Sequence, residues 1–96
     1  MTDALNGVVV ADFSRVLAGP LCTQMLADAG ARVIKVEDPA RGDETLRWGP
    51  PFIQGVSAYF LALNRNKESI AVDLTSDSGA ATARRGVEPA DVVVHN

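Results

Sequence analysis

Three places in this sequence carry residues whose types and spacing could do chemistry. Directly after the apolar run Val8 to Phe13 comes "SRVLAGPLCTQ", residues 14 to 24, with a Gly-Pro pair where a strand turns into a helix. Backbone amides at such a helix amino terminus favour an anion or a polar carbonyl, although a plain strand-to-helix turn would carry the same residues. A turn that grips pyrophosphate needs G-x-G-x-x-G, because the second glycine lets the backbone approach the ligand. Only Gly19 is present. Glu37 and Asp38 lie near the distance expected of a ribose-binding acid, which keeps a nicotinamide or flavin site open, and they read equally as solvated strand-end residues. Further on, "NRNK", Asn64 to Lys67, sets two cations just ahead of a strand, where they could meet phosphate or simply be solvated. His95 is the sole histidine, a proton shuttle or ligand by type, with no partner visible beside it. No Ser-His-Asp order, carboxylate pair or metal-ligand spacing stands out among the twelve acids, so no metal is expected.

These residues need elements to position them. Val8 to Phe13, Arg32 to Glu37, Ser69 to Leu74 and Asp91 to His95 read as strands, the first and last as nearly continuous apolar runs that suit burial on both faces of a parallel sheet. Between the first two, Pro20 to Ala29 reads as a helix with Leu21, Cys22, Met25, Leu26 and Ala29 as its core-facing stripe. Pro20 suits the first helical position, and Gly30 suits the stop. A right-handed crossover is then expected. "DPARGDETLRWGPPFIQG" is a long excursion of the kind that tends to be functional, followed by a short helix over Ser57 to Leu63. "TSDSGAATARRG" reads as a third helix, capped near Ser76 or Asp77 and ended by Gly86, with only Ala and Thr on its face. The fold class is therefore α/β, the first part of a doubly wound sheet. In such sheets ligands bind beyond the carboxyl ends of the strands: here Ser14-Arg15-Val16, Glu37-Asp38, Leu74-Thr75 and His95-Asn96. A strand as apolar as Asp91 to Val94, two residues from the end of the chain, is what part of a larger domain would show.

Composition narrows the class. With 96 residues, 47% of them hydrophobic, the chain is long enough for a single core. A net charge of −3 gives no electrostatic footprint for nucleic acid and no polybasic membrane patch. The single Cys22 excludes an internal disulfide and fits a reducing cytoplasm, with the thiol expected in the core. Neither a leader-like amino terminus at Met1-Thr2-Asp3 nor an apolar run of bilayer length is present, so a soluble cytoplasmic protein is expected.

As a set, the residues say more. The succession "VVVADFSRVLAGPLCTQMLADAGARVIKVEDPARGDETLRWGPPF", then "SAYFLALNRNKESIAVDL", then "ADVVVHN" closely resembles the amino-terminal segment of the family III CoA-transferases. That family includes formyl-CoA and carnitinyl-CoA transferases and α-methylacyl-CoA racemases. The resemblance spans essentially the whole chain and rests on "LAGP", "GARVIKVE", "GDETLR", "YF" ahead of "NRNK", and "ADVVVHN".

The resemblance implies that residues 1–96 are part of a Rossmann-like domain that binds coenzyme A. The whole enzyme would be several hundred residues long and work as a homodimer of interlocked rings on acyl-CoA and a carboxylic acid. It implies CoA transfer through an aspartyl intermediate or, in the racemases, α-proton exchange by a histidine and a carboxylate. Both sets of groups lie downstream of the matched region, so no acid here inherits the nucleophile's role and these residues alone are expected to be inactive. What carries over is CoA contact: Val16, Leu17 and Ala18 along the CoA path, Val72, Asp73, Leu74 and Thr75 at the adenine end, and Asn96 where a nucleotide-meeting stretch begins. Asp38 stands where the family often has a basic residue, so Arg41, Arg47 or Lys67 are the candidates to take up a CoA phosphate. Leu17 replaces a polar residue of some transferases, and "GAATARRG" lacks the leucines of the family's next helix. Two other readings remain open at this point: a non-catalytic CoA-binding module, and a nicotinamide-dependent oxidoreductase fragment.

Overall fold

The computed structural model describes residues 3–96; Met1 and Thr2, part of the amino terminus read above, lie outside it. In chain order the elements are β1 (Val9–Asp12), α1 (Ala18–Asp28), β2 (Arg32–Glu37), a 3-10 turn (Glu44–Arg47), β3 (Phe52–Ile53), β4 (Val56–Ser57), α2 (Ala58–Leu63), β5 (Lys67–Ala71), α3 (Asp77–Val87) and β6 (Val92–Val94). Strands β5, β2, β1 and β6 form one sheet in that spatial order, every pairing parallel, while β3 and β4 make a small antiparallel hairpin. Taken by chain order within the sheet, this is the 3-2-1-4 arrangement of a Rossmann-like half, and the α/β class expected from the sequence is the class observed.

Strand alternation assigns the two faces of the sheet. Val10 and Val33 turn toward α1 and form the core with Ala27 and Ala31, joined at its margin by Leu5, Val8, Leu26 and Val94. Val9, Ala11, Ile34, Val36 and Ile70 turn the other way, where with Ala83 and Gly86 of α3 they line a groove of about 150 Å³. The small residues of α3 cannot fill the space that leucines would.

Several expectations need correction. Three residues of the stripe predicted to face the core on α1 face outward, Leu21 and Met25 at 38% and 64% exposed and Cys22 exposed too, while Leu26 packs at the core's margin and Ala29 is half-buried. Gly19, Pro20, Thr23, Gln24 and Ala27 are buried instead. The reason is closeness of approach. A Cβ on Gly19 would overlap the Ser14 side chain, so the first turn of α1 closes on the β1–α1 loop through a glycine, and one turn on Thr23 meets Asp12 of β1. Pro20 occupies the third helical position, still within the turn where no N–H partner exists.

The third sheet strand starts two residues early and stops at Ala71, because the Asp73 carboxylate accepts the Thr75 amide at 2.9 Å and turns the chain. Within residues 3–96 β6 is the last strand of the sheet, with Val92 and Val93 37% and 45% exposed. Gly86 lies inside α3, which runs to Val87 from its Ser76 cap. Gly30 does end α1 as expected, at φ 106°.

The two α3 glycines should behave oppositely. A Cβ on Gly79 would run into the Asp73 backbone carbonyl, whereas nothing lies within 4 Å of one on Gly86. Gly79→Ala is expected to destabilise by about 1–3 kcal/mol through overpacking, and Gly86→Ala to stabilise by up to about 1 kcal/mol through helix propensity. Urea midpoints of the intact protein check both signs.

Candidate functional site

The carboxyl ends of the four sheet strands converge on one edge. Beyond them lies a cleft of about 270 Å³ lined by Phe13, Arg15, Val36, Glu37, Asp38, Val72, Asp73, Leu74, Thr75 and Asn96. Of the nine residues predicted for the site, it gathers Asp38, Val72, Asp73, Leu74, Thr75 and Asn96. Val16, Leu17 and Ala18 do not line it; they follow Arg15 along the β1–α1 loop. Phe13, Arg15, Val36 and Glu37 were not predicted for the site, although Arg15 and Glu37 stand among the strand-end residues that the topology rule singled out.

Each wall has a local cause. The Asp73 carboxylate accepts both the amide and the hydroxyl of Thr75, at 2.9 and 2.5 Å, which holds its carboxyl below the ordinary value of 3.8 and keeps it charged. Asp38 accepts the Ala40 amide at 2.7 Å and caps its own turn. Asn96 reaches back to the β1–α1 loop, donating to the Arg15 carbonyl at 2.7 Å and accepting the Arg15 amide at 3.2 Å. The end of β6 is thereby clamped to the loop after β1, at the topological switch point of the sheet. A second, smaller cleft of about 110 Å³ shares Arg15 and Asp38 with the first and adds Arg41, Gly42, Glu44 and Arg47. Two of the three cations expected to meet phosphate are therefore beside the site. The third is not: Lys67 is buried and bonded to Pro20 O at 3.0 Å, to Asn64 Oδ1 at 2.8 Å and to Asp12 at 3.3 Å. In the same segment Arg65 is tied to Asp28 at 2.7 Å, so "NRNK" fastens β5 to α1. His95 is exposed at the end of β6.

Under the β1–α1 loop lies a group of buried charges that periodicity did not foresee. Asp12, Lys35 and Lys67 all project from the α1 side of the sheet, and Asp43 enters from the loop before the 3-10 turn. Lys35 pairs with Asp43 at 3.1 Å and Lys67 with Asp12 at 3.3 Å; both lysine side chains are 2% exposed and both aspartates 0%. Asp12 also accepts the Thr23 hydroxyl at 2.6 Å, the Ser14 amide at 2.9 Å and the Ser14 hydroxyl. Burial works to raise the Asp43 carboxyl, but the Thr45 amide and hydroxyl and the Lys35 ammonium together bring it below 3.8. For Lys67, burial lowers the ammonium from its ordinary 10.5, and Asp12 opposes that only in part.

Above these charges the loop takes an unusual path. Val16 has φ 74°, a left-handed conformation that is an outlier for a β-branched residue and costs about 1–3 kcal/mol. No side chain caps α1, and Pro20 has no N–H, so the Ala18 and Gly19 amides are left for ligand or water. Among the described residues no cluster of His, Cys, Asp and Glu fits a metal ion, and no helix is long and apolar enough to cross a membrane.

Comparison with known proteins places this geometry. Residues 5–96 match CoA-transferase family III. The chain is 51% identical to the succinate–glutarate CoA-transferase of Agrobacterium fabrum, over 96% of this chain and 24% of that protein. It is 50% identical to the succinyl-CoA:glutarate CoA-transferase of Mus musculus, over 96% of this chain and 21% of that protein. The crystal structure of a CAIB/BAIF family protein from Brucella suis superimposes with a TM-score of 0.94 at 48% identity, covering 100% of this chain and 26% of that one. The chain thus spans about a quarter of the length of its relatives.

Asp43 contributes stability above the carboxylate range, and that contribution is lost as pH falls through its depressed value. At neutral pH, Asp43→Asn is expected to destabilise by about 3–5 kcal/mol, because Lys35 is left as an unpaired buried charge. The gap between variant and wild type should close only below about pH 4. Thermal unfolding of both proteins from pH 7 to pH 3 tests this, and a gap independent of pH would count against a charged Asp43.

Proposed function

The chain belongs to CoA-transferase family III, and on that premise we propose that its strand-end clefts hold coenzyme A for an enzyme that moves CoA between carboxylic acids. One observation carries the reading: residues scattered between positions 13 and 96 meet in a single cleft at the switch point of the sheet. The walls suit the parts of such a ligand. Glu37, Asp38 and Asp73 can accept from an adenine amino group and ribose hydroxyls, with Phe13, Val36, Val72 and Leu74 against the ring. Arg15, Arg41 and Arg47, toward the second cleft, suit the phosphates. A pantetheine arm would then pass Val16, Leu17 and Ala18, where one glycine suffices because no pyrophosphate has to be gripped at that turn.

In this reading residues 1–96 are the CoA-binding part, and the group that attacks the thioester lies outside them. The two buried carboxylates here are already engaged by lysines, so neither is a free nucleophile. An aspartate elsewhere would attack the acyl-CoA carbonyl and expel CoA thiolate to give a mixed anhydride; the thiolate would then attack the aspartyl carbonyl, releasing the donor acid as its carboxylate and leaving an aspartyl thioester. The names of the relatives support transfer rather than racemisation, and succinyl-CoA with a dicarboxylic acid acceptor as the substrate pair. A nicotinamide site is disfavoured by the single glycine.

The intact protein is expected to form glutaryl-CoA from succinyl-CoA and glutarate; CoA binding without turnover would favour the non-catalytic module, and NADH binding in place of CoA would overturn the reading. Dephospho-CoA should bind about tenfold more weakly than CoA, on the scale of one charge-assisted contact. Arg41→Ala combined with Arg47→Ala should erase that difference. Isothermal titration with the two ligands measures it.

A further inference from the structure

The loop from Ser14 to Leu17 is held by groups that sequence patterning would treat as misplaced. Lys35 lies in the middle of a core strand, and Asp43 is fully buried. A buried ion pair adds little or nothing to stability compared with apolar residues of the same volume, so its retention calls for another reason. Asp43 Oδ1 accepts the Thr45 amide and hydroxyl, at 3.0 and 2.8 Å, and the two other hydrogen bonds of the pair go to the loop. Lys35 Nζ donates to the Ser14 carbonyl at 3.0 Å, and Asp43 Oδ2 accepts the Val16 amide at a long 3.4 Å. These two contacts bracket Arg15, whose own amide and carbonyl are taken by Asn96. The residue that receives the Asp43 contact is the one with left-handed backbone at φ 74°. A valine does not stay there unaided.

We propose that Lys35 and Asp43 are positioning residues for ligand binding: their buried pair holds Val16 in its left-handed conformation and so fixes the β1–α1 loop in the shape that CoA meets. The proposal rests on the CoA-binding reading above. It assigns Asp43, on the excursion after β2, a part in shaping a wall built by β1. The conformational change it prevents is local, a relaxation of Val16 to ordinary backbone angles that would carry Leu17 and Ala18 with it.

The test removes both charges at once and then removes the strain. In the intact protein, Lys35→Met/Asp43→Leu is expected to weaken CoA binding about tenfold or more, the scale set by releasing one strained residue. The KM for acyl-CoA should rise while kcat stays nearly unchanged. Adding Val16→Gly, which adopts the left-handed region freely, should recover most of the lost affinity. A merely structural pair would not be rescued in this way, so equal weakness of the double and triple variants overturns the proposal, as does unchanged affinity in the double variant. If the double variant does not fold, Asp43→Asn with and without Val16→Gly takes its place under the same criteria. Hydrogen exchange at the Val16 amide separates the two premises. Failure of the wild type to bind CoA overturns the CoA reading, whereas positioning is then judged by exchange alone: a rise of about tenfold in the charge-free variant upholds it and no change overturns it.

Discussion

Four buried charges under the β1–α1 loop set the terms for the rest of the domain. Asp12, Lys35, Asp43 and Lys67 balance one another, and Asp12 and Lys35 occupy the end of the sheet face where aliphatic residues would normally continue the core. Apolar packing is consequently confined to the other half of that face, around Val10, Ala27, Ala31 and Val33. The charged half joins elements far apart in the chain: Asp12 on β1, Thr23 on α1, Lys35 on β2, Asp43 before the 3-10 turn and Lys67 on β5. Because desolvated charges tolerate little displacement, they impose register more sharply than interchangeable aliphatic contacts would. The extension of β5 back to Lys67 follows directly, since the strand must begin early enough to bring that ammonium to Asp12.

Around this anchor the parallel topology makes the site. With strand order β5, β2, β1, β6, the chain steps outward from β1 through β2 to β5 and then crosses back to β6 on the other side of β1, and the crevice falls where the order reverses. Asn96 closes the crevice on one side by bonding both backbone groups of Arg15, and the Asp73–Thr75 turn closes it on the other. Asn96 and one carboxylate oxygen of Asp73 are thereby taken up in shaping backbone.

The sequence made the architecture legible because β-branched runs, Gly30 and the absence of extra glycines at Gly19 are local signals that survive into the folded chain. The strand-end rule likewise pointed to Arg15, Glu37, Asp38, Leu74, Thr75 and Asn96. What was not legible came from size and charge. Helical periodicity marked Leu21, Cys22 and Met25 as the buried side of α1, yet the residues buried there are Gly19, Pro20, Thr23, Gln24 and Ala27, with Gly19 closed against Ser14 of the loop and Thr23 bonded to Asp12. Hydropathy ranks side chains by solvent preference and is silent about spacing. Lys35 and Lys67 were equally hidden, since a lysine in a strand reads as solvent-facing unless its buried carboxylate partner is known, and Asp43 is eight residues from Lys35 in an irregular segment.

Charge placement along the strand ends adds a direction to the site. The larger cleft carries three carboxylates and one guanidinium, and the smaller carries three guanidiniums and two carboxylates, with Arg15 and Asp38 common to both. A ligand with hydroxyls and an amine at one end and phosphates at the other would meet complementary groups in only one orientation. Asp38 sits at the boundary, and its carboxylate is turned to the Ala40 amide. That acid is thereby kept locally bonded, while Arg41 and Arg47, three and nine residues further on, place positive charge along the smaller cleft. The positive charge of this edge thus sits in the same excursion that delivers Asp43 to its pair with Lys35.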